Sequence, residues 1–172
     1  MGDRLPLLTL RARAVVRLAA VASLLGACAR PPAPPAAVAR LPEVPVLSLD
    51  HRMESLPAVT RGRPALVALW ATWCTTCAHE LGELDRLQAR VGGDALVVGV
   101  AVGEPYEHVA EYLRTRRLAY AQLVDEDFKL SDALGARRVP ATWVVDRNGA
   151  VRYSGGALDA RALAALRDAM AE

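Results

Sequence analysis

The sequence is poor in the residues from which small exported domains and metal centres are usually built. It has three cysteines (Cys28, Cys74 and Cys77) and three histidines in 172 residues. Small secreted domains usually carry several disulfides, and three cysteines cannot provide such a framework. His51 and His108 have no partners at metal-ligand spacing. The scarcity of both residue types therefore predicts a domain without a multi-bridge framework and without a metal site.

Clusters of basic residues are also scarce. The formal net charge is +2, and the densest basic runs of the predicted domain are the short segments 114–117 and 137–138. Neither run is large enough to suggest a nucleic-acid footprint. No internal repeat is present, and the length suits one domain with a core of ordinary size.

The first 27 residues have the order of a secretory signal. Several arginines precede an uncharged apolar run at 18–25, which is too short to span a membrane as a stable helix. Residues 25–28, Leu-Gly-Ala-Cys, resemble a bacterial lipobox, which predicts cleavage before Cys28 and lipidation of that residue. The protein would then be tethered to a membrane by acyl chains. The alternative is an ordinary signal peptide or N-terminal anchor with an incidental cysteine.

A proline-rich segment separates this signal from the rest of the chain. Residues 28–41 hold few large apolar groups, so they are predicted to form an extended tether. The folded domain is predicted over residues 42–172. Export places this domain outside the cytoplasm, in the periplasm or on the outer face of the cell membrane.

Two cysteines lie two residues apart where a buried strand gives way to a helix. Cys74 and Cys77 follow the apolar run 65–70. The free N–H groups and the dipole at a helix N-terminus favour a thiolate, so the first cysteine can become a nucleophile and the second can resolve the mixed disulfide. A structural disulfide is the alternative, but closing so short a loop gains little chain entropy. The spacing therefore favours redox chemistry.

The chain beyond the cysteines alternates between strand and helix patterns. Apolar runs at 65–70 and 95–102 predict buried strands, and leucines at helical spacing predict a helix between them that ends at Gly92. The other predicted elements are a hairpin over 44–49 and 53–56, a helix opened by Pro105, a strand near 121–124, a helix near 127–134, a hairpin over 140–146 and 151–153, and a last helix over 163–170. This order predicts an α/β fold whose mixed sheet has helices on both faces.

Two motifs in this order resemble the thioredoxin fold. Residues 70–77, Trp-Ala-Thr-Trp-Cys-Thr-Thr-Cys, and residues 139–143, Val-Pro-Ala-Thr-Trp, are similar to those of the exported TlpA/ResA/CcmG-like thiol-disulfide oxidoreductases, over about residues 42–172. The resemblance implies a three-layer thioredoxin-like fold. It also implies site roles: an exposed nucleophile, Cys74, a shielded resolving residue, Cys77, and a neighbouring aromatic, Trp73. Pro140 would follow a cis peptide bond, and Val139 would offer its backbone to a substrate strand.

Glu104 is the candidate proton acceptor. In ordinary thioredoxins an acid lies six residues before the first cysteine, but Ala68 stands there in this chain. Residues 102–104, Val-Gly-Glu, resemble the segment of the ResA-like subgroup whose glutamate lies near the disulfide and influences thiol ionisation and partner recognition. The resemblance thus implies a catalytic role for Glu104. The alternative is that Glu104 only caps the helix opened by Pro105, where a carboxylate is favourable.

Two polar residues after the second cysteine are not assigned a catalytic role. His79 lies two residues past Cys77, roughly 200° around a helix, so it should point away from the pair. Glu80 matches a position that is often acidic in the family, and it is predicted to be a solvated helix residue.

The predicted function is that of a membrane-tethered extracytoplasmic thiol-disulfide oxidoreductase that reduces disulfides in client proteins. Its redox-active disulfide would be Cys74–Cys77, and no other cofactor is expected. The resemblance implies an apocytochrome c as client and a membrane thiol protein as electron donor, with the chain itself a monomer. General disulfide exchange or oxidation and reduction of copper-delivery proteins are alternatives. A Cu(I)-binding chaperone is the alternative from another class, since two thiolates suit a soft metal.

Overall fold

The computed structural model describes residues 38–172. The predicted signal peptide, the predicted lipidation site Cys28 and most of the predicted tether lie outside the described residues. Within residues 38–172, no helix has the length and apolar character needed to cross a membrane.

The described residues form seven strands and five helices in alternating order. The strands are β1 (Val46–Ser48), β2 (Met53–Glu54), β3 (Ala65–Trp70), β4 (Leu96–Val102), β5 (Ala121–Asp125), β6 (Ala141–Val145) and β7 (Val151–Gly155). The helices are α1 (Leu56–Thr60), α2 (Thr75–Val91), α3 (Tyr106–Arg114), α4 (Lys129–Ala133) and α5 (Ala160–Ala171). One sheet contains all seven strands in the order β2-β1-β5-β4-β3-β6-β7.

The sheet is mixed, as predicted. Strand β3 pairs in parallel with β4 and antiparallel with β6, and β5 adds in parallel beside β4. Every residue of β3 is buried, because helices cover both of its faces. The predicted α/β class and the thioredoxin-like arrangement of three layers are confirmed.

The two faces of β3 belong to different core clusters. Ala65, Val67 and Leu69 pack with side chains of α1 and α4 on one face. Leu66 and Ala68 pack with α2 and α5 on the other face. On that second face, near the carboxyl end of the strand, Trp70 packs with the first turn of α2 and with α3, in the cluster that also contains both cysteines of the pair. The alternation of side chains along a strand thus assigns each helix to its layer.

Two features near the start of the domain differ from the sequence-based expectation. The predicted second hairpin strand over 53–56 is only two residues long, because Leu56 begins helix α1. Ser55 caps that helix by accepting a hydrogen bond from Ala58 N–H at 3.4 Å. A five-residue helix is too short to show a helical period. Ordered pairing also begins before residue 42, since Arg40 bridges to Ala150 and Leu41 is buried.

Three connecting segments meet at one edge of the sheet. Trp70 and Ala101 are paired residues at the carboxyl ends of β3 and β4, so the segments after these strands lie side by side. Strand β6 runs in the opposite direction, and its first residue, Ala141, pairs with Leu69. The fold therefore places the cysteine pair, the segment containing Glu104 and the Val139–Pro140 bond at the same edge.

Candidate active site

The cysteine pair is closed as a disulfide at the start of α2. Cys74 and Cys77 are bonded through their sulfurs, with their Cα atoms 5.2 Å apart. Cys74 is the N-cap residue of the helix, and its sulfur accepts a hydrogen bond from Cys77 N–H at 3.2 Å. A backbone N–H aimed at this sulfur, together with the helix dipole, would stabilise negative charge on it after reduction.

The expectation that Cys74 is exposed is wrong for the disulfide state. Cys74 is 7% exposed and Cys77 is 1% exposed. Cys74 is covered because its sulfur is bonded to Cys77 and because both side chains pack in the cluster that contains Trp70 and Ala71. Cys74 is still the more accessible of the two. The group that faces solvent is the neighbouring Trp73, at 70% exposure.

The Val139–Pro140 peptide bond is cis, as the resemblance implies. Val139 packs against the cluster that contains both cysteines. Pro140 immediately precedes β6, whose pairing with β3 fixes its position at the edge of the sheet. The structure therefore brings the proline segment to the cysteine pair.

A groove of about 360 Å³ is lined by Trp73, the neighbour of Cys74, and by Val139, which precedes the cis proline. Trp73, Phe128 and Val139 contribute apolar walls. Arg137, Arg138 and Asp132 contribute charged groups, and Arg137 Nη1 lies 3.8 Å from Asp132 Oδ1. Phe128 is 50% exposed and has a left-handed backbone conformation, with φ of 60°. An apolar groove with charged residues at its border suits an extended peptide whose side chains differ in polarity.

Gly103 supports the aromatic wall of this groove. Its φ is +71°, and a Cβ atom at this position would overlap the ring of Phe128. Both the backbone conformation and the close approach of the ring therefore require glycine here. In the sequence, Gly103 is part of the Val-Gly-Glu resemblance, which gives it no role of its own.

Glu104 lies directly after this glycine and is buried, at 8% exposure. Its Oε2 accepts a hydrogen bond from Thr72 N–H at 2.7 Å, and its Oε1 accepts one from the Thr72 hydroxyl. Thr72 belongs to the turn closed by the hydrogen bond from Cys74 N–H to Ala71 O, at 3.1 Å. The carboxylate is thus bound to the turn that leads into the cysteine pair.

The helix-cap alternative for Glu104 has no support among these contacts. The N-cap residue of α3 is Pro105, which forms no side-chain cap. The first helical N–H, that of Tyr106, instead donates to the carboxylate of Glu126. Both Glu104 oxygens are engaged by Thr72.

Two residues of this cluster had no role in the sequence reasoning. Thr72 lies within the first motif but has no predicted function, and His108 has no partner at metal-ligand spacing in the sequence. His108 Nε2 lies 3.0 Å from Thr72 Oγ1 and 3.5 Å from Glu104 Oε1. The contact between Glu104 and His108 was predictable from their i,i+4 spacing. The contact of both with Thr72 depends on the tertiary fold.

Ala68 is a buried strand residue, and Glu80 is a half-buried helix residue. Ala68, at the position of the acid in ordinary thioredoxins, is 4% exposed and lies between Gly99 and Thr142 of the neighbouring strands. Glu80 is not the solvated residue that was predicted. It is half-buried, because its Oε1 accepts a hydrogen bond from Leu158 N–H at 2.9 Å and so ties α2 to the segment before α5.

Burial raises the pKa of the Glu80 carboxyl, and the charge of Glu83 adds to that rise, while the Leu158 hydrogen bond opposes it.

His79 is exposed, in agreement with its predicted orientation away from the pair. Residues 38–172 contain no group of three potential ligands arranged to hold a metal ion.

The sequence profile of the AhpC/TSA family matches residues 39–154. The chain belongs to the AhpC/TSA family. The matched segment includes every residue of the site described above, and it excludes helix α5. Together with the closed Cys74–Cys77 pair, the family membership identifies a thiol-disulfide oxidoreductase with the thioredoxin fold.

Solved structures share the fold of this AhpC/TSA family member. A thiol:disulfide interchange protein DsbE of Chlorobium tepidum is 19% identical, with 77% of this chain and 94% of that chain covered and a TM-score of 0.67. The exposed lipoprotein thioredoxin of Streptococcus pneumoniae is also 19% identical, with 74% and 99% covered and a TM-score of 0.65. A secreted disulfide oxidoreductase of Mycobacterium tuberculosis is 18% identical, with 73% and 96% covered and a TM-score of 0.62. No curated protein matches the sequence.

Proposed function

We propose that this protein is a membrane-tethered extracytoplasmic oxidoreductase that reduces disulfides in client proteins, with an apocytochrome c as the client. The observation that carries the proposal is the placement of the Cys74–Cys77 disulfide, the cis Val139–Pro140 bond and an apolar groove at one edge of the sheet. A cysteine pair with a docking surface beside it suits a protein substrate better than a small thiol.

The proposed reaction begins from the reduced pair. The Cys74 thiolate attacks one sulfur of a client disulfide, so that a Cys74–client bond forms and the other client sulfur leaves as a thiolate and takes up a proton. Cys77 then loses its proton and attacks the Cys74 sulfur, which releases the second client thiol. Two electrons pass to the client, and the Cys74–Cys77 disulfide is restored. A membrane thiol protein returns two electrons to the pair.

The groove supplies the docking surface in this proposal. The client backbone would pair with Val139, and its apolar side chains would contact Trp73 and Phe128. Glu104 would accept the proton that Cys77 loses, because it is the buried carboxylate bound to the turn before the pair. Its contacts with Thr72 hold it there in a fixed orientation.

The direction of electron flow is proposed from the residues between the cysteines. Thr75 and Thr76 carry no charge, so they give no reason to expect the very acidic thiol of a strong oxidant. Extracytoplasmic location and lipid attachment are proposed from the sequence of residues 1–28. The relatives named as an exposed lipoprotein thioredoxin and a secreted oxidoreductase are consistent with that location.

The reduction potential of the full chain tests the direction. Equilibration with defined ratios of reduced and oxidised dithiothreitol, read by alkylation of free thiols, should give a value at or below about −200 mV, in the range of glutaredoxins and thioredoxin. A value near about −120 mV, typical of a strong oxidant, would contradict the reductase assignment. General oxidation of client thiols would then be the better proposal.

A Cu(I)-binding chaperone is the weaker alternative. Such a protein would use the two thiolates, but the cis proline and the groove would have no role in it. Copper titration of the reduced chain, followed by competition with a Cu(I) chelator, distinguishes the two proposals.

A further inference from the structure

The buried carboxylate of Glu104 reaches solvent through two neighbouring side chains. Thr72 Oγ1 lies between Glu104 Oε1, to which its hydroxyl is hydrogen-bonded, and His108 Nε2, at 3.0 Å. The Glu104 side chain is 9% exposed, whereas that of His108 is 61% exposed. The three groups therefore form a continuous path from the interior to the surface of α3.

The donors and acceptors along this path can be arranged in two ways. When Glu104 is ionised, the Thr72 hydroxyl donates to Oε1, and the contact with His108 requires a hydrogen on Nε2. When Glu104 is protonated at Oε1, that hydrogen donates to Thr72 Oγ1, and the Thr72 hydroxyl can donate to a bare Nε2. Passing from the second arrangement to the first moves one proton from Glu104 to His108. No heavy atom has to change place.

We infer that His108 is the residue through which Glu104 exchanges protons with solvent during resolution of the mixed disulfide. This inference rests on the proposed function and on the proposed role of Glu104 in it. When Cys77 attacks Cys74, the proton of the Cys77 thiol is taken up by Glu104 and is passed through the Thr72 hydroxyl to His108 Nε2. His108 then releases that proton to water, and the departing client thiolate takes one proton from water.

Among the described residues, the other titratable groups near the path are not hydrogen-bonded to Glu104 or Thr72, whereas His108 contacts both. His51 stacks on Tyr106 with ring centroids 4.2 Å apart, and Glu126 accepts a hydrogen bond from Tyr106 N–H. Glu107 is exposed on the same helix. Within residues 38–172, none of these three groups is hydrogen-bonded to Glu104 or Thr72. His108 is the imidazole that contacts both, and an imidazole can both accept and donate a proton near neutral pH.

The experiment uses the full chain with glutathione disulfide as the probe. Reduced protein is mixed with excess probe, quenched with acid at intervals and analysed by mass, so that formation and resolution of the Cys74 adduct are timed separately. His108→Ala should leave formation unchanged and slow resolution about tenfold, below the effect of a direct general base. Imidazole added to the buffer should restore the rate, since position 108 is exposed.

Two further variants separate proton transfer from structure. Thr72→Val removes the hydroxyl and should slow resolution as His108→Ala does, whereas Thr72→Ser keeps the hydroxyl and should resolve like the wild type. His79→Ala is the matched control, because His79 is an exposed histidine near the pair with no contact to Glu104.

Resolution by His108→Ala at the wild-type rate, or slow resolution that imidazole does not restore, would overturn the inference. Failure of the reduced wild type to react with glutathione disulfide and also with a protein disulfide, such as those of insulin, would overturn the proposed function, and the inference with it. If the wild type and His108→Ala both form the Cys74 adduct and resolve it at the same rate, the inference is overturned and the proposed function stands.

Discussion

The N–H of Thr72 donates a hydrogen bond to the carboxylate of Glu104 across 2.7 Å. Thr72 lies in the turn before Cys74, and Glu104 lies two residues beyond the end of β4, so the contact joins two segments that are 32 residues apart. It places a buried acid against the backbone that leads to the redox pair.

Replacement of Glu104 by Gln should shift the thiol titration of the reduced pair. The amide keeps the size of the side chain and can still accept from Thr72 N–H, but it removes the negative charge and the proton acceptor. Loss of a negative charge near a thiol favours the thiolate. The pKa of the Cys77 thiol, the proposed proton donor to Glu104, should therefore fall. Ultraviolet absorbance of the thiolate across a pH series measures the shift. Glu107→Gln, an exposed change on the same segment, should leave the curve unchanged, and an unchanged curve for Glu104→Gln would remove the carboxylate from the site.

Cys77→Ala should trap clients as mixed disulfides. Cys74 can still attack, but without Cys77 nothing within the pair resolves the bond. Non-reducing electrophoresis of the envelope fraction, followed by mass analysis, should show adducts that disappear on reduction. Cys74→Ala should show none, because Cys77 is only 1% exposed and lies below its partner. Equal trapping by the two variants would contradict the assignment of Cys74 as the nucleophile.

Gly103→Ala should destabilise the domain by about 2 kcal/mol or more, since it combines a left-handed backbone conformation with overlap of the Phe128 ring. Urea unfolding at constant pH measures the change in the free energy of unfolding. Gly93→Ala is the matched control, because a Cβ at that position would meet nothing within 4 Å and its φ is not positive. Similar stability of the two variants would show that neither the backbone conformation at position 103 nor the overlap with Phe128 costs stability.

Asp146 should contribute stability that is lost in acid. Burial raises the pKa of its carboxyl, but hydrogen bonds from the N–H groups of Ala150 and Asn148 and the charge of Arg152 outweigh burial, so the pKa lies below its usual value. A lowered folded-state pKa stabilises the protein above the unfolded-state pKa, and this contribution is lost as the pH falls through the folded-state value.

Asp146→Asn should therefore reduce the free energy of unfolding at neutral pH by about 1–3 kcal/mol, with the difference from wild type shrinking below about pH 4. Unfolding curves at a series of pH values measure both effects. Asp168→Asn, an exposed change on α5, is the control. A difference from wild type that does not change with pH would mean that the charge of Asp146 is not responsible.

The parts of the fold that follow from local pattern were predictable from sequence. The apolar run of β3, the helical spacing of leucines in α2 and the turn between β6 and β7 all produce elements close to their predicted positions. Helix α1 was missed because it is one turn long and depends on its Ser55 cap. The contacts of Glu80 and His108 were missed for a different reason: their partners, Leu158 and Thr72, are far away in sequence, and only the tertiary fold brings them near.

The close approach of Phe128 to Gly103 joins two parts of the molecule that would otherwise be separate. Phe128 forms a wall of the groove that Trp73 and Val139 also line, and Gly103 is the residue before Glu104. In the proposed function, a client that displaced the Phe128 ring would therefore also press on the backbone that carries Glu104. A substitution at Gly103 or Phe128 would then change both the proposed docking surface and the position of the Glu104 carboxylate.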